Sequence, residues 1–272
     1  MRVAAALMAL LGLGFLGAYV YREARGPGYD AGGIPLERYT LRSQLARRSL
    51  TELAIVPAGG GRRNLLVLLH GRGSGPASLL STQLFRELGR LGRRAPVVVL
   101  LDGGDHSYFH DRRDGAWGSY VLVEAIPDAI RRFGTTRRVA IGGVSMGGFG
   151  ALDLARVDSA RFCAVGGHSA ALWTRGADTP AGAFDDAADF ARHDVLRYAR
   201  TAASPYRGLR VWLDVGASDP FRNADSTLAA TLRRRGARLT FHLWPGDHTR
   251  SYWNGHMAQY LRFYASALAA CR

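Results

Sequence analysis

Residues 137–156 read RRVAIGGVSMGGFGALDLAR. The apolar run Val139-Ala140-Ile141 leads into Gly143-Val144-Ser145-Met146-Gly147, a GxSxG pattern. Beyond Met146 a helical apolar face runs through Phe149, Leu152, Leu154 and Ala155. A strand that turns sharply through a glycine-flanked serine into a helix is a nucleophile elbow. The glycines tolerate the strained backbone and close contacts, and the serine side chain is held out at the carboxyl edge of a sheet. The first N–H groups of the helix point back at that side chain. In a chain with 34 glycines the five-residue pattern alone also fits a glycine-rich loop. The flanking strand and helix, and partners elsewhere, must therefore carry the reading.

A serine hydroxyl is a weak nucleophile at neutral pH and needs a base, and the base needs an acid to fix its tautomer. Of eight histidines, His248 has the most suggestive setting. It sits in the loop Pro245-Gly246-Asp247-His248-Thr249, after the alternating segment Arg238–Trp244 and before a terminal helix, at the sheet edge where open α/β sheets collect ligands. His242 falls inside that strand and His256 on the last helix, where structural roles are expected. His70 closes an aliphatic strand, His106 and His110 share a polar loop, His168 follows the elbow by one strand, and His193 lies in an Ala/Asp-rich stretch.

With the chain order Ser, Asp/Glu, His, the acid comes from the strand end before His248. Asp219 lies just past the segment Arg210–Gly216, whereas Asp214 is inside it and faces one side of the sheet. Asp247 and Asp225 are weaker candidates, and Asp219 also reads as a cap for a helix beginning near Phe221. An oxyanion needs two N–H donors. One is expected from Met146 and the other from the turn His70-Gly71-Arg72-Gly73-Ser74-Gly75, at either Gly71 or Arg72. That turn is no phosphate loop, because it lacks GxxxxGK[ST] and the chain has no lysine. Nor is it a dinucleotide fingerprint, because Pro76 stands where a third glycine is required.

Five segments together resemble the esterase family of α/β-hydrolases that includes S-formylglutathione hydrolases, feruloyl esterases and the antigen 85 mycolyltransferases. They are HGRGSG at 70–75, LDGGDHSYFHDRRDGAWGSYVLVEAIP at 101–127, GGVSMGGFGALDLA at 142–155, VGASDPF at 215–221 and WPGDHTRSYW at 244–253. The resemblance implies Ser145 as nucleophile, Asp219 as acid, His248 as base, and Met146 with the Gly71–Arg72 turn as oxyanion donors. It also implies that Asp102, Tyr108, Trp117 and Tyr120 build the substrate pocket or pack behind it. Residues 168–206, with Trp173, Phe184, Phe190 and Tyr198, match no fixed pattern. In such a family this stretch shapes the acyl or leaving-group side.

Strands are expected at 39–47, 50–56, 65–69, 97–101, 139–141, 162–165, 210–215 and 238–243, and helices at 77–91, 120–133, 148–156, 222–235 and 252–270. The alternation of strands and helices predicts an α/β-hydrolase fold with a largely parallel central sheet covered on both faces. The expected organisation is a signal peptide or membrane anchor at 1–25, a short linker at 26–36 and one catalytic domain at 37–272. Val3 through Tyr21 carry no formal charge, and as a helix would span roughly 28 Å, close to a bilayer core of about 30 Å. A cell-membrane location with an extracytoplasmic catalytic domain, or secretion, is expected.

All 36 basic residues are arginine, and the formal net charge is +14. They occur in scattered pairs without aromatic stacking modules between them, which argues against nucleic acid and is compatible with anionic lipid or envelope polymers. No cofactor motif and no metal-ligand spacing is present. Cys163 and Cys271 have no CxxC spacing, and the sequence leaves their pairing open. The expected function is a serine carboxylic-ester hydrolase acting through an acyl-enzyme on a small-molecule, lipid or sugar ester. A mycolyltransferase-like envelope acyltransferase and a non-catalytic envelope protein are the alternatives.

Overall fold

The computed structural model of the protein describes residues 28–59 and 61–271. The leader read at 1–25 lies outside the described residues, and among those described no helix is long and apolar enough to cross a membrane. The first two strands, β1 (Leu36–Ser43) and β2 (Arg48–Ile55), pair antiparallel, and β2 pairs antiparallel with β4 (Val97–Leu101). The other neighbours are parallel: β4, β3 (Leu65–Leu69), β7 (Val139–Val144), β8 (Phe162–His168), β9 (Arg210–Gly216) and β10 (Arg238–Trp244). The sheet order is β1-β2-β4-β3-β7-β8-β9-β10, while β5 (Asp111–Arg112) and β6 (Gly115–Ala116) form a small separate hairpin.

Both faces of the sheet are covered, so its central strands are apolar on both sides. Leu65, Val67 and Leu69 of β3 face one core, with α2 (Ile126–Arg132), α3 (Met146–Val157) and α6 (Arg222–Arg234). Leu66 and Leu68 face a second core, under α1 (Thr82–Leu91) and α7 (Arg250–Ala269). The expected helix at 77–91 is divided. A 3-10 turn at Pro76–Leu79 ends before Ser81, whose side chain accepts the Leu84 N–H at 3.2 Å and starts α1 afresh. The stretch 168–206 contains α4 (Ala187–Arg192) and α5 (Val195–Thr201), neither expected from periodicity. Asp186 and Asp194 cap them by accepting N–H groups three residues on.

The arginine pairs are less scattered than the sequence suggests. Arg62-Arg63, Arg93-Arg94, Arg137-Arg138, Arg161, Arg207 with Arg210, and Arg235 with Arg238 stand at or just before the first residues of the six parallel strands. In a parallel sheet those positions share one edge, opposite the strand C-termini. Some are structural: Arg63 donates to the carbonyls of Gly92, Arg93 and Ala95. Cys163 at the start of β8 is joined by a disulfide to Cys271 beyond α7, with Cα atoms 5.6 Å apart. This settles the pairing and ties the final helix to the sheet.

Glu52 of β2 is fully buried. It accepts from the Tyr120 hydroxyl and from the Asp102 N–H. Burial pushes its carboxyl up from 4.5 to about 8, despite the opposing hydrogen bonds. The folded chain therefore holds a proton here that the unfolded chain loses above its ordinary pKa. This contribution is full below about pH 4.5 and is lost as pH rises towards 8, with a slope of up to ~1.4 kcal/mol per pH unit. Glu52→Gln is expected to flatten that decline in urea unfolding between pH 5 and 8. An unchanged pH slope would show that Glu52 is ionised in the folded protein.

Candidate active site

The elbow forms where β7 meets α3. Ser145 has φ 53° and ψ −117°, a left-handed conformation that non-glycine residues adopt only under constraint. Its N–H is held by the His168 carbonyl at 3.0 Å, and its carbonyl accepts from Phe149 and Ala171. The flanking glycines are required by contact. A Cβ on Gly147 would stand 2.1 Å from the Leu69 carbonyl oxygen, and one on Gly143 would stand 2.5 Å from the Gly147 backbone. Packing of α3 against β3 and β7 thus leaves the serine side chain pointing off the sheet edge.

The three residues from separate strand ends meet there. His248 Nε2 lies 2.8 Å from Ser145 Oγ, and its Nδ1 lies 2.9 Å from Asp219 Oδ2. The other oxygen of Asp219 accepts the Phe221 N–H at 2.8 Å, so this residue is both the histidine's partner and the organiser of the turn into α6. Burial alone would raise the Asp219 carboxyl. The hydrogen bonds from His248 and from the Phe221 N–H outweigh it and hold the group below the usual aspartate range, ionised at neutral pH. Asp247 is exposed and accepts from Thr249 instead, and Asp225 is fully buried, with burial and the nearby Asp219 charge pushing its carboxyl up.

Gly71 stands across from the serine, so that a Cβ there would lie 3.6 Å from Ser145 Cβ. The Gly73 N–H is committed to the Asp105 carbonyl and is not available to an oxyanion. His70 fixes the turn. Its Nε2 accepts the Gly103 N–H at 3.0 Å, and its Nδ1–H donates to the Gly71 carbonyl at 2.8 Å.

A cavity of 540 Å³ opens over Ser145 and His248, and Tyr108 lies on its wall as expected. Asp102, Trp117 and Tyr120 do not. Asp102 caps its own loop by accepting the Gly104 N–H, Trp117 is buried beneath Gly104, and Tyr120 is committed to Glu52. They pack behind the site because the glycines at 103–104 let the loop close onto aromatic rings. From the insert Ala171, Trp173 and Pro180 reach the cavity, while Phe184 packs against Tyr108 and Phe149. Leu79, Phe221, Trp253 and Met257 complete the apolar wall. Phe221 and Trp253 stand inside quoted motif segments, a signal that could have marked them.

Beneath the elbow is a buried polar hub that the sequence did not disclose. Asp214 accepts from His168 Nδ1 at 2.7 Å, Trp212 Nε1 at 2.8 Å, Tyr260 at 2.7 Å and Tyr252 at 3.0 Å. Tyr264 donates to His168 Nε2 at 2.9 Å, which it can do because Gly142 and Gly166 leave room for its hydroxyl. The network joins β8, β9 and α7 through His168, Asp214, Tyr252, Tyr260 and Tyr264. His110, Asp189 and His193 are the one group among the described residues spaced to hold a metal ion. They lie away from the cavity wall, and Asp189 is already occupied by His110, Arg192 and the Asp185 N–H.

The Esterase family model matches residues 57–264, a span that contains the serine, the aspartate and the histidine. The chain belongs to this family. Its solved structural relatives share the fold at low identity. A ferulic acid esterase superposes with a TM-score of 0.75 and 20% identity, covering 86% of this chain and 97% of its own. An S-formylglutathione hydrolase from Agrobacterium tumefaciens gives 0.74 and 19%, covering 87% and 96%. MPT51 (FbpC1) from Mycobacterium tuberculosis gives 0.68 and 20%, covering 86% and 99%. No curated protein sequence matches. This esterase is therefore a carboxylic-ester hydrolase with the α/β-hydrolase fold.

Proposed function

We propose that this esterase cleaves its ester through an acyl-enzyme on Ser145. The observation that carries this reading is the continuous hydrogen-bonded line from Ser145 Oγ through His248 to Asp219 at the floor of an apolar cavity. Ser145 Oγ attacks the carbonyl carbon while His248 Nε2 takes its proton, and ionised Asp219 stabilises the imidazolium that results. The oxyanion is held by the N–H groups of Met146 and of Gly71 or Arg72. His248 then passes the proton to the departing alcohol, and water repeats the sequence to release the acid.

The wall of Leu79, Trp173, Phe221, Trp253 and Met257 supports an apolar acyl chain, since each buried methylene contributes up to ~0.8 kcal/mol. With aryl esters of increasing acyl length and the purified full chain, kcat/KM is expected to rise from acetyl to at least butyryl. A steady fall from acetyl would mean that the cavity does not receive the chain. Adding a sugar acceptor tests the transferase reading: an acylated sugar formed faster than free acid would replace hydrolysis by acyl transfer. We also place the catalytic domain outside the cytoplasm, carried by residues 1–25. The Cys163–Cys271 disulfide supports this, because such bonds persist in oxidising compartments.

A further inference from the structure

The cavity over Ser145 is mainly apolar, with Ser74, Ser78 and Asn254 as uncharged polar groups on its wall. Its wall carries two guanidinium groups, Arg72 and Arg250, and no carboxylate lines it. Some arginines elsewhere are neutralised, as Arg112, Arg113 and Arg156 are by Asp185, Asp186 and Asp153. Among the described residues, Arg72 and Arg250 form no such ion pair. Arg72 lies against the Tyr108 hydroxyl, and Arg250 spends one N–H on the Leu80 carbonyl at 2.7 Å, so donors remain on both.

Arg250 stands where a cation is disfavoured. It is the first residue of α7, whose opening turn holds no acidic residue, and the helix dipole there disfavours a cation. Two free positive charges at one cavity mouth also repel each other. An anion between them relieves both penalties. It is also the group that a guanidinium fork recognises best, through charge-assisted hydrogen bonds.

We propose that the substrate of this esterase carries, besides its reacting ester, an anionic oxyacid group (carboxylate or phosphate) that is bound by Arg72 and Arg250 at the mouth of the apolar cavity. The inference rests on the serine-esterase reading and adds a substrate class to it: an amphiphile with an apolar body and one anionic end. His248 is two residues from Arg250, and Gly71 adjoins Arg72, so the anion sits within a short chain length of the reacting carbonyl.

The test compares two 4-nitrophenyl esters on the full chain at low salt, the adipic acid monoester and the hexanoate, which differ by a terminal carboxylate. The expected ratio of kcat/KM, anionic over neutral, is about 10, equivalent to ~1.4 kcal/mol. It should fall towards one at high salt, as Coulombic recognition of a partly exposed site requires. Arg250→Gln should remove most of the preference. In parallel, calorimetry on Ser145→Ala with adipate, hexyl phosphate and hexanamide reads binding without turnover. Both anions, or either one, should bind more tightly than the amide, with the advantage lost in Ser145→Ala/Arg250→Gln; which anion binds tighter identifies the oxyacid. Hydrolysis of both esters without an anionic preference, or a preference that survives Arg250→Gln, overturns the inference and leaves the esterase reading standing. Arg250-dependent anion binding with no hydrolysis of either ester would do the reverse.

Discussion

Ser145→Ala is expected to lower aryl-ester turnover by about 10⁴-fold or more, with thermal unfolding close to that of the parent chain. The fold should survive because the substitution removes one oxygen that faces the cavity. The backbone bonds that hold the elbow, from the Ser145 N–H to His168 and from Phe149 and Ala171 to the Ser145 carbonyl, involve no side chain. The residual rate would report what the oxyanion donors and binding supply without a nucleophile. Initial rates of the two proteins, with circular dichroism to check folding, decide the matter. Equal rates would remove Ser145 from the chemistry.

Asp219→Asn should produce a loss of comparable size, up to ~10⁴ in kcat. An amide in that place can donate towards His248 Nδ1, which favours the tautomer whose Nε2 carries a proton and so cannot accept one from Ser145. The same change also weakens the Phe221 turn, so unfolding must be measured beside the rate. Asp247→Asn is the control. Its carboxylate is exposed and bonded to Thr249, and its loss should change kcat by no more than a few-fold. A larger effect from Asp247 than from Asp219, with both proteins folded, would move the acid.

What the sequence made readable follows from the topology of a parallel sheet. Once the GxSxG run is placed between a strand and a helix, every other strand end in the same direction lies on the same edge. Asp219 and His248 could then be found by asking which acid and which histidine follow a strand. The aliphatic strand before Gly71 located the oxyanion turn by the same logic. The cavity walls were harder, because they depend on how the 3-10 turn at Pro76–Leu79 and α7 approach that edge. Leu79 and Met257 are ordinary apolar residues until those elements are packed, and Arg250 reads as one more arginine among 36.

The motif at 101–127 gave a mixed return for a related reason. Its aromatic residues are fixed by close packing around glycines, as Trp117 under Gly104 illustrates, and a packing requirement leaves the same mark on a sequence as a binding requirement. Only Tyr108 turns out to face the cavity. The Asp214 hub was invisible because its partners stand as far as 46 residues along the chain. Alternation showed that Asp214 faces one side of β9, but not that a histidine, a tryptophan and two tyrosines converge on it.

The central claim is that Ser145 is the residue that becomes acylated. The most direct measurement is intact-mass analysis of the full chain after exposure to a fluorophosphonate ester, followed by peptide mapping. One phosphonyl adduct is expected, located on the peptide containing Ser145, absent from Ser145→Ala and strongly slowed in Asp219→Asn. An adduct at another residue, or labelling of Ser145→Ala at the rate of the parent chain, would contradict it.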